Sequence, residues 1–309
     1  MHSDTPSAVE FSMETFRFQG SGMPADPKAL EAFPLPLSVI LQVTRRCNLD
    51  CVFCSEISPL PDPSLAELAL MREHLQGVQR IYLSGGEPLL RPDLVKIAQL
   101  FKPQCFVGLP TNAMIHESIT DDLASSIDFA NVGIEGPRNV TTRVRGDYDE
   151  IVKGIGLIRE KGIPLSLCSV VMASNVDCIP LVCQLADVFE ARKVKLILPV
   201  MKGNAFRLPA SEIISDKQAL DLFAKLLEQK TRYGWRPKIT LTTWTPEVEG
   251  YSILVYPDGK VYAWPVYDEP EKVELLGDLL VEDIRAIWQR NPYRANHVRK
   301  YLGETILVC

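Results

Sequence analysis

Over residues 36–205, short apolar runs alternate with longer segments whose apolar positions recur at helical spacing. Runs of about four to eight aliphatic residues bounded by turn residues read as buried strands; apolar positions three and four apart over longer windows read as helices. That rule predicts strands at 37–43, 80–83, 105–109, 129–134, 165–171 and 195–199. It predicts helices between them at 65–76, 93–101, 115–126, 148–161 and 177–191. Regular alternation of this kind is the pattern of parallel βα units, so the chain is expected to be α/β. After about residue 210 the pattern changes. Residues 211–231 read as one long amphipathic helix with Leu220, Phe223, Ala224 and Leu227 on a face. Residues 251–256, the Pro257-Asp258-Gly259-Lys260 turn and 261–264 read as a hairpin. A last helix at 281–289 carries Ile284, Ile287 and Trp288. Three regions are therefore expected: an irregular extension over 1–35, an α/β core over 36–210, and a small α+β cap over 211–309.

Composition narrows the class. A chain of 309 residues with 46% hydrophobic content can bury one large core plus a smaller appendage. The net charge of −6 and pI near 5.4 show no broad basic face, so no nucleic-acid partner is expected. No apolar run approaches the length of about eighteen residues needed to cross a bilayer, so no membrane association is expected. The first thirty residues are polar, carry Pro24 and Pro27, and lack an apolar signal core. The expected location is cytoplasmic.

The concentrated chemistry lies in Cys47-Asn48-Leu49-Asp50-Cys51-Val52-Phe53-Cys54, in the loop leaving the first strand. Three soft thiolates at this spacing suit an iron–sulfur cluster, which ordinarily takes four. Structural zinc normally adds a second Cys or His pair, but His2, His74, His116 and His297 are scattered. Eight cysteines in a chain of this length are too few for a disulfide scaffold. At the end of the next strand stands Gly85-Gly86-Glu87-Pro88. Paired glycines permit close backbone approach, and a carboxylate follows at once. Alone, the tetrapeptide is a turn with a solvated Glu.

Together these residues resemble the radical S-adenosylmethionine (radical SAM) superfamily: Cys47, Cys51 and Cys54, the aromatic Phe53 before the last cysteine, and Gly85-Gly86-Glu87-Pro88. The resemblance implies a partial (β/α)6 TIM-like barrel with one 4Fe–4S cluster held by the three cysteines. S-adenosylmethionine (SAM) would chelate the remaining iron, with its amino group at the Gly-Gly-Glu-Pro turn. It also implies an external one-electron donor such as flavodoxin or ferredoxin. Site residues are then expected on loops at the C-terminal ends of the strands. Asn112 falls there. Glu135 stands where relatives carry an acidic residue, and is either a contact to the SAM ribose or substrate or a solvated loop carboxylate. Ser169 and Asn175 resemble the family's ribose and carboxylate contacts, although a strand serine more often bonds only to backbone. Met201 is either an adenine contact or core filler. Arg145 is either an anion contact or a solvated cation.

The C-terminal region resembles the SPASM/twitch extension of the molybdenum-cofactor and pyrroloquinoline-quinone branch, with one departure. Trp264 stands where an auxiliary-cluster cysteine is expected, and the only later cysteine is Cys309. A single cluster is therefore expected, with Trp264 either an aromatic wall for substrate or hairpin packing. Loss of an auxiliary electron acceptor favours redox-neutral outcomes on a small-molecule substrate: rearrangement, epimerisation, elimination or decarboxylation. Modification of a ribosomal peptide and a non-catalytic iron–sulfur or zinc protein remain as alternatives.

Overall fold

The computed structural model describes residues 34–36, 38–243, 252–266 and 273–296, with short strand segments at 10–11, 18–19 and 307–308. Most of the N-terminal extension, Leu37, Tyr251 and Cys309 lie outside the described residues. Six strands run parallel in chain order: β1 (Ser38–Thr44), β2 (Arg80–Gly85), β3 (Phe106–Thr111), β4 (Phe129–Gly133), β5 (Leu165–Val170) and β6 (Lys193–Ile197). Helices α1 (Leu65–His74), α2 (Leu94–Phe101), α3 (Asp121–Ser126), α4 (Arg138–Val144), α5 (Tyr148–Glu160), α6 (Ile179–Val188) and α7 (Asp216–Tyr233) fill the crossovers. A further strand, β7 (Lys238–Thr242), pairs parallel to β6. On the opposite edge β8 (Ser252–Val255) pairs parallel to β1 and begins an antiparallel run through β9 (Lys260–Trp264) and β10 (Leu275–Asp278). α8 (Ile284–Arg290) follows, and β11 (Leu307–Val308) pairs with β7. The strand order is open, so the barrel does not close.

Strand period explains both faces of this sheet. In β1, Val39, Leu41 and Val43 are fully buried in the main core, while Ser38, Ile40 and Gln42 line a central cavity. In β2, Ile81 and Leu83 enter the core while Tyr82 and Ser84 face the cavity. In β6 the same alternation buries Val194 and Leu196 and turns Lys193 and Lys195 inward. The helices cover the apolar face, and the polar face is left as the lining of a barrel interior.

Several features depart from the pattern reading: β10 was not expected, and the helix expected over 115–126 is a 3-10 turn at His116–Ser118 followed by α3. β7 was not predicted: five residues of mixed polarity, Lys-Ile-Thr-Leu-Thr, give a weak signal until β6 supplies a partner. α4 was also missed, being short and interrupted by two threonines. On α7 the docked stripe is Ala219, Leu222 and Leu226, whereas Leu220 and Leu227 are 53% and 49% exposed. Apolar residues surround this helix over residues 219–227, so packing against the sheet, not periodicity, chose the stripe. Its ends are conventional: Ser215 and Gln218 form a capping box, and Gly234 closes it at φ +67°.

Candidate active site

The cavity encloses about 710 Å³ and is lined by Cys47, Cys51 and Cys54 at the C-terminal ends of the strands. The cysteine loop is held from three sides by backbone. Val52 N–H donates to the Val144 carbonyl (3.0 Å) and Cys54 N–H to the Cys51 carbonyl (3.0 Å). Asn204, in the segment after β6, donates its N–H to the Cys54 carbonyl (2.8 Å). Its side-chain amide donates to Asp50 Oδ1 (2.6 Å) and to the Cys51 carbonyl (3.1 Å). Gly203 beside it has φ +60°, and an added Cβ would lie 2.7 Å from the Cys54 carbonyl oxygen. The segment flagged by Met201 thus meets the site through its neighbours: Pro199 and Val200 line the cavity, while Met201 is not among its lining residues.

The Gly-Gly-Glu-Pro turn is joined to the exit of β1. Gly86 N–H donates to the Thr44 carbonyl (2.9 Å) and Glu87 N–H to the Arg46 carbonyl (2.8 Å). A Cβ on Gly85 would stand 2.0 Å from Thr44 O, and one on Gly86 2.2 Å from Arg46 O. No side chain larger than hydrogen fits either position. Glu87 is almost wholly buried and accepts from Thr111 Oγ1 (2.7 Å), Asn112 N–H (2.7 Å) and Leu89 N–H (3.0 Å). Burial pushes its pKa up despite these donors. Its carboxylate therefore ties β2 to the end of β3, and the turn offers backbone to the cavity. Asn112 lines the cavity while its side chain bonds Asn48 Oδ1 (2.8 Å) and Met114 N–H (2.9 Å). Pro88 opens the short 3-10 turn that follows.

Glu135 has no access to the cavity. It is fully buried and makes a bidentate pair with Arg145, Oε2 to Nε at 2.6 Å and Oε1 to Nη2 at 2.8 Å. Burial works against the Arg145 charge, but Glu135 outweighs it and raises the guanidinium pKa. Arg145 itself lines the cavity, with its guanidinium carbon 5.1 Å from the Phe53 ring centroid. It fills the space a Cβ on Gly133 would take. Ser169 and Asn175 also stand back from the cavity. Strand alternation sends Cys168 and Val170 inward and Ser169 to the opposite face. The Asn175 amide donates to the Glu135 (3.1 Å) and Val170 (2.9 Å) carbonyls, and its oxygen accepts from Met172 N–H (2.7 Å). It joins the ends of β4 and β5. Trp264 and Tyr82 line the cavity; His116 is held at the Glu150 carbonyl (2.9 Å), and Cys105 packs against the core.

A second ring of contacts was not legible in the sequence. Glu56, two residues past Cys54, pairs with Arg45 (2.7 Å) and Lys202 (3.0 Å), and Lys202 also meets the Tyr256 hydroxyl (2.5 Å). This network links the cysteine loop, the segment after β6 and the end of β8. Its members are far apart in sequence, and no short motif marks them.

Cys51 is buried, Cys54 half-buried and Cys47 exposed. Burial raises the pKa of Cys47 and Cys54 and pushes Cys51 up to about 12. The three cysteines line one cavity beside the Gly85-Gly86 turn, and a set of soft thiolate donors suits an iron–sulfur cluster. Residues 41–180 match the family model described as Radical SAM superfamily. These residues are a radical SAM domain. Members of that family use a 4Fe–4S cluster and SAM. The probable GTP 3',8-cyclase of Methanopyrus kandleri is 33% identical to the chain over 182 residues, 55% of this chain and 59% of its own length. Pre-heme d1 synthase of Dinoroseobacter shibae is 31% identical over 226 residues, 68% of this chain and 56% of its own. PqqA peptide cyclase of Methylorubrum extorquens is 27% identical over 221 residues, 65% of this chain and 56% of its own. The chain thus spans less than two thirds of each of these relatives. In fold, the radical SAM domain and its extension resemble Streptococcus suis SuiB bound to the precursor peptide SuiA. The TM-score is 0.71 at 13% identity, over 84% of this chain and 66% of that one. Among the described residues, no helix is long and apolar enough to cross a membrane.

Proposed function

We propose that the chain is a radical SAM enzyme that cleaves SAM reductively at a single 4Fe–4S cluster and acts on a small metabolite. When bound, the cluster and SAM supply a 5′-deoxyadenosyl radical that abstracts hydrogen from an unactivated carbon. The protein's part is to bind, orient and exclude water. Cys47, Cys51 and Cys54 are the cluster ligands, and the Gly85-Gly86 backbone is the seat for the SAM amino group. Arg145, locked by Glu135 and stacked over Phe53, presents a fixed cation to the cavity. The observation that carries this reading is the joining of the Gly-Gly-Glu-Pro turn to the root of the cysteine loop over one cavity. A bare electron carrier has no use for that cradle. Redox-neutral chemistry is the outcome this reading favours, with flavodoxin or ferredoxin as electron donor and the cytoplasm as location.

A second reading, modification of a ribosomal peptide, is favoured by the relatives named PqqA peptide cyclase and by the fold shared with SuiB. Anaerobic purification and reconstitution test the proposal. About four irons per chain and formation of 5′-deoxyadenosine, both lost in Cys51→Ala, are expected. About eight irons would overturn the single-cluster reading. Zinc without iron, and no SAM cleavage, would overturn the catalytic one. Turnover of a co-encoded peptide by the reconstituted enzyme would decide for the second reading.

A further inference from the structure

Two buried cations close on one carboxylate beside the cysteine loop. Glu56 lines the cavity, with Oε2 2.7 Å from Arg45 Nη1 and Oε1 3.0 Å from Lys202 Nζ. Arg45 and Lys202 are 9% and 8% exposed, and the Glu56 side chain 9%. Among the described residues, no other carboxylate lies within ion-pair distance of Arg45 or Lys202. Arg45 also donates to Gln42 Oε1 (3.0 Å), a neutral partner, and its Nε is buried with no hydrogen bond. The group therefore carries one surplus positive charge where water is scarce.

The exit of β8 holds that surplus in place. Tyr256 brings its hydroxyl to 2.5 Å of Lys202 Nζ. Its ring centroid lies 5.1 Å from the Arg45 guanidinium carbon and 5.2 Å from Lys202 Nζ, both cation–π distances. Tyr262 of β9 packs against the same ring at 5.1 Å. Asn204, two residues past Lys202, holds the Cys51 and Cys54 carbonyls, so one backbone segment carries the charge and fixes the loop. The charges of Glu56 and Arg45 both reach the Cys54 sulfur, with opposite signs.

A buried cation in excess of its partner is unfavourable, and apolar side chains of similar volume would pack there without that cost. The excess is stabilising only beside a negative charge. Three thiolates around an oxidised 4Fe–4S core make the site anionic, and an added electron makes it more so. Resting on the radical SAM reading above, we infer that Arg45 and Lys202, held by Tyr256, are the counter-charge of the cluster, partly offset by Glu56. They are positioning residues that act through the field at the cluster. Their surplus charge raises the potential at which the site takes one electron from its flavodoxin- or ferredoxin-class donor, which is oxidised in that step.

The test uses the full-length, reconstituted protein without SAM, titrated anaerobically with dithionite and read by the EPR signal of the reduced cluster. Lys202→Met removes a cation and should lower the midpoint potential. Glu56→Gln removes the carboxylate and should raise it. Each change should be about tenfold in the reduction equilibrium, about 59 mV for one electron. Lys202→Arg keeps the charge and should restore the potential of the unmodified protein. The double variant Glu56→Gln/Lys202→Met keeps the surplus and should also lie near the unmodified protein.

Iron content and thermal unfolding are measured on every variant. A merely structural clamp would give additive losses of iron and stability, greatest in the double variant, with no potential following the sign of the charge removed. Shifts of one sign in both single variants, or none in either, would overturn the inference. Tyr256→Phe keeps every charge and both rings but frees Lys202, and should lower the potential by less than Lys202→Met. Should Lys202→Met fail to assemble a cluster, an unchanged potential in Tyr256→Phe overturns the inference instead. Iron content and SAM cleavage of the unmodified protein are scored separately. A protein that holds the cluster and cleaves SAM without these signed shifts sinks the counter-charge alone. One that takes up no iron and cleaves no SAM sinks the radical SAM reading, and the counter-charge with it.

Discussion

At the mouth of the cavity, Gly85, Gly86 and Glu87 bond to the exit of β1, the same stretch of chain that leads into the three cysteines. At the floor, Lys193, Lys195 and Lys238 meet only because β6 and β7 pair in one register. The mouth is a rigid lattice of backbone hydrogen bonds and close approaches; the floor is a set of long, like-charged side chains on adjacent strands. Invariant chemistry suits the first design, because a cluster and a cofactor need fixed geometry.

The largest effect on SAM cleavage should come from Gly86→Ala. Its Cβ meets backbone that cannot turn aside, so overpacking of about 1–3 kcal/mol is expected, together with loss of SAM cleavage. Retention of full SAM cleavage in that variant would break the claim that the turn is a backbone cradle. Arg145→Met should cost about 3–5 kcal/mol in urea unfolding, because it strands the Glu135 carboxylate in a fully buried site. The double variant with Glu135→Gln should recover much of that loss. If it does not, the pair is not the source of the cost. Asn204→Ala removes two side-chain donors from the cysteine loop. A loss of about 1–3 kcal/mol and faster iron release under chelator are expected.

At the floor the expected effect is smaller and depends on pH. Lys193 faces Lys195 on its own strand, Lys238 on β7, Cys168 on β5 and Arg80 on β2, and its pKa falls to about 7 from the usual 10.5. Between those values the unfolded chain holds a proton that the folded chain has released. Stability from this group therefore rises with pH across that window, by up to about 1.4 kcal/mol per unit, and is constant above it. In Lys193→Met that rise should be absent, and the variant should be the more stable protein near pH 7. Parallel unfolding curves for the two proteins from pH 7 to pH 10 would show that burial does not lower the Lys193 pKa.

Much of the mouth was legible because its signals are short. Three cysteines in eight residues and two glycines before a carboxylate declare their chemistry without partners, and both segments meet at one cavity. Glu135, Ser169, Asn175 and Met201 were harder for a physical reason. A strand residue faces inward or outward by a shift of one position, so the cavity receives Cys168 and Val170 rather than Ser169. Glu135 is consumed by Arg145, ten residues away, and that pairing is invisible until α4 turns the chain back. Asn204 could have been suspected from Gly203 beside it, a residue suited to close approach of backbone. Nothing local marked Glu56, Lys202 and Tyr256 as a set.

The sequence by itself determined the alternation of strand and helix, the parallel α/β class and the grouping of the cysteine and Gly-Gly-Glu-Pro motifs, because those depend on period and spacing along the chain. Tertiary structure alone decided the added strand β7, the buried stripe of α7, the Arg145–Glu135 lock and the lysine floor. Each of these depends on which elements become neighbours and in what register. Register is settled by the burial of whole faces together, a quantity that no short stretch of sequence carries.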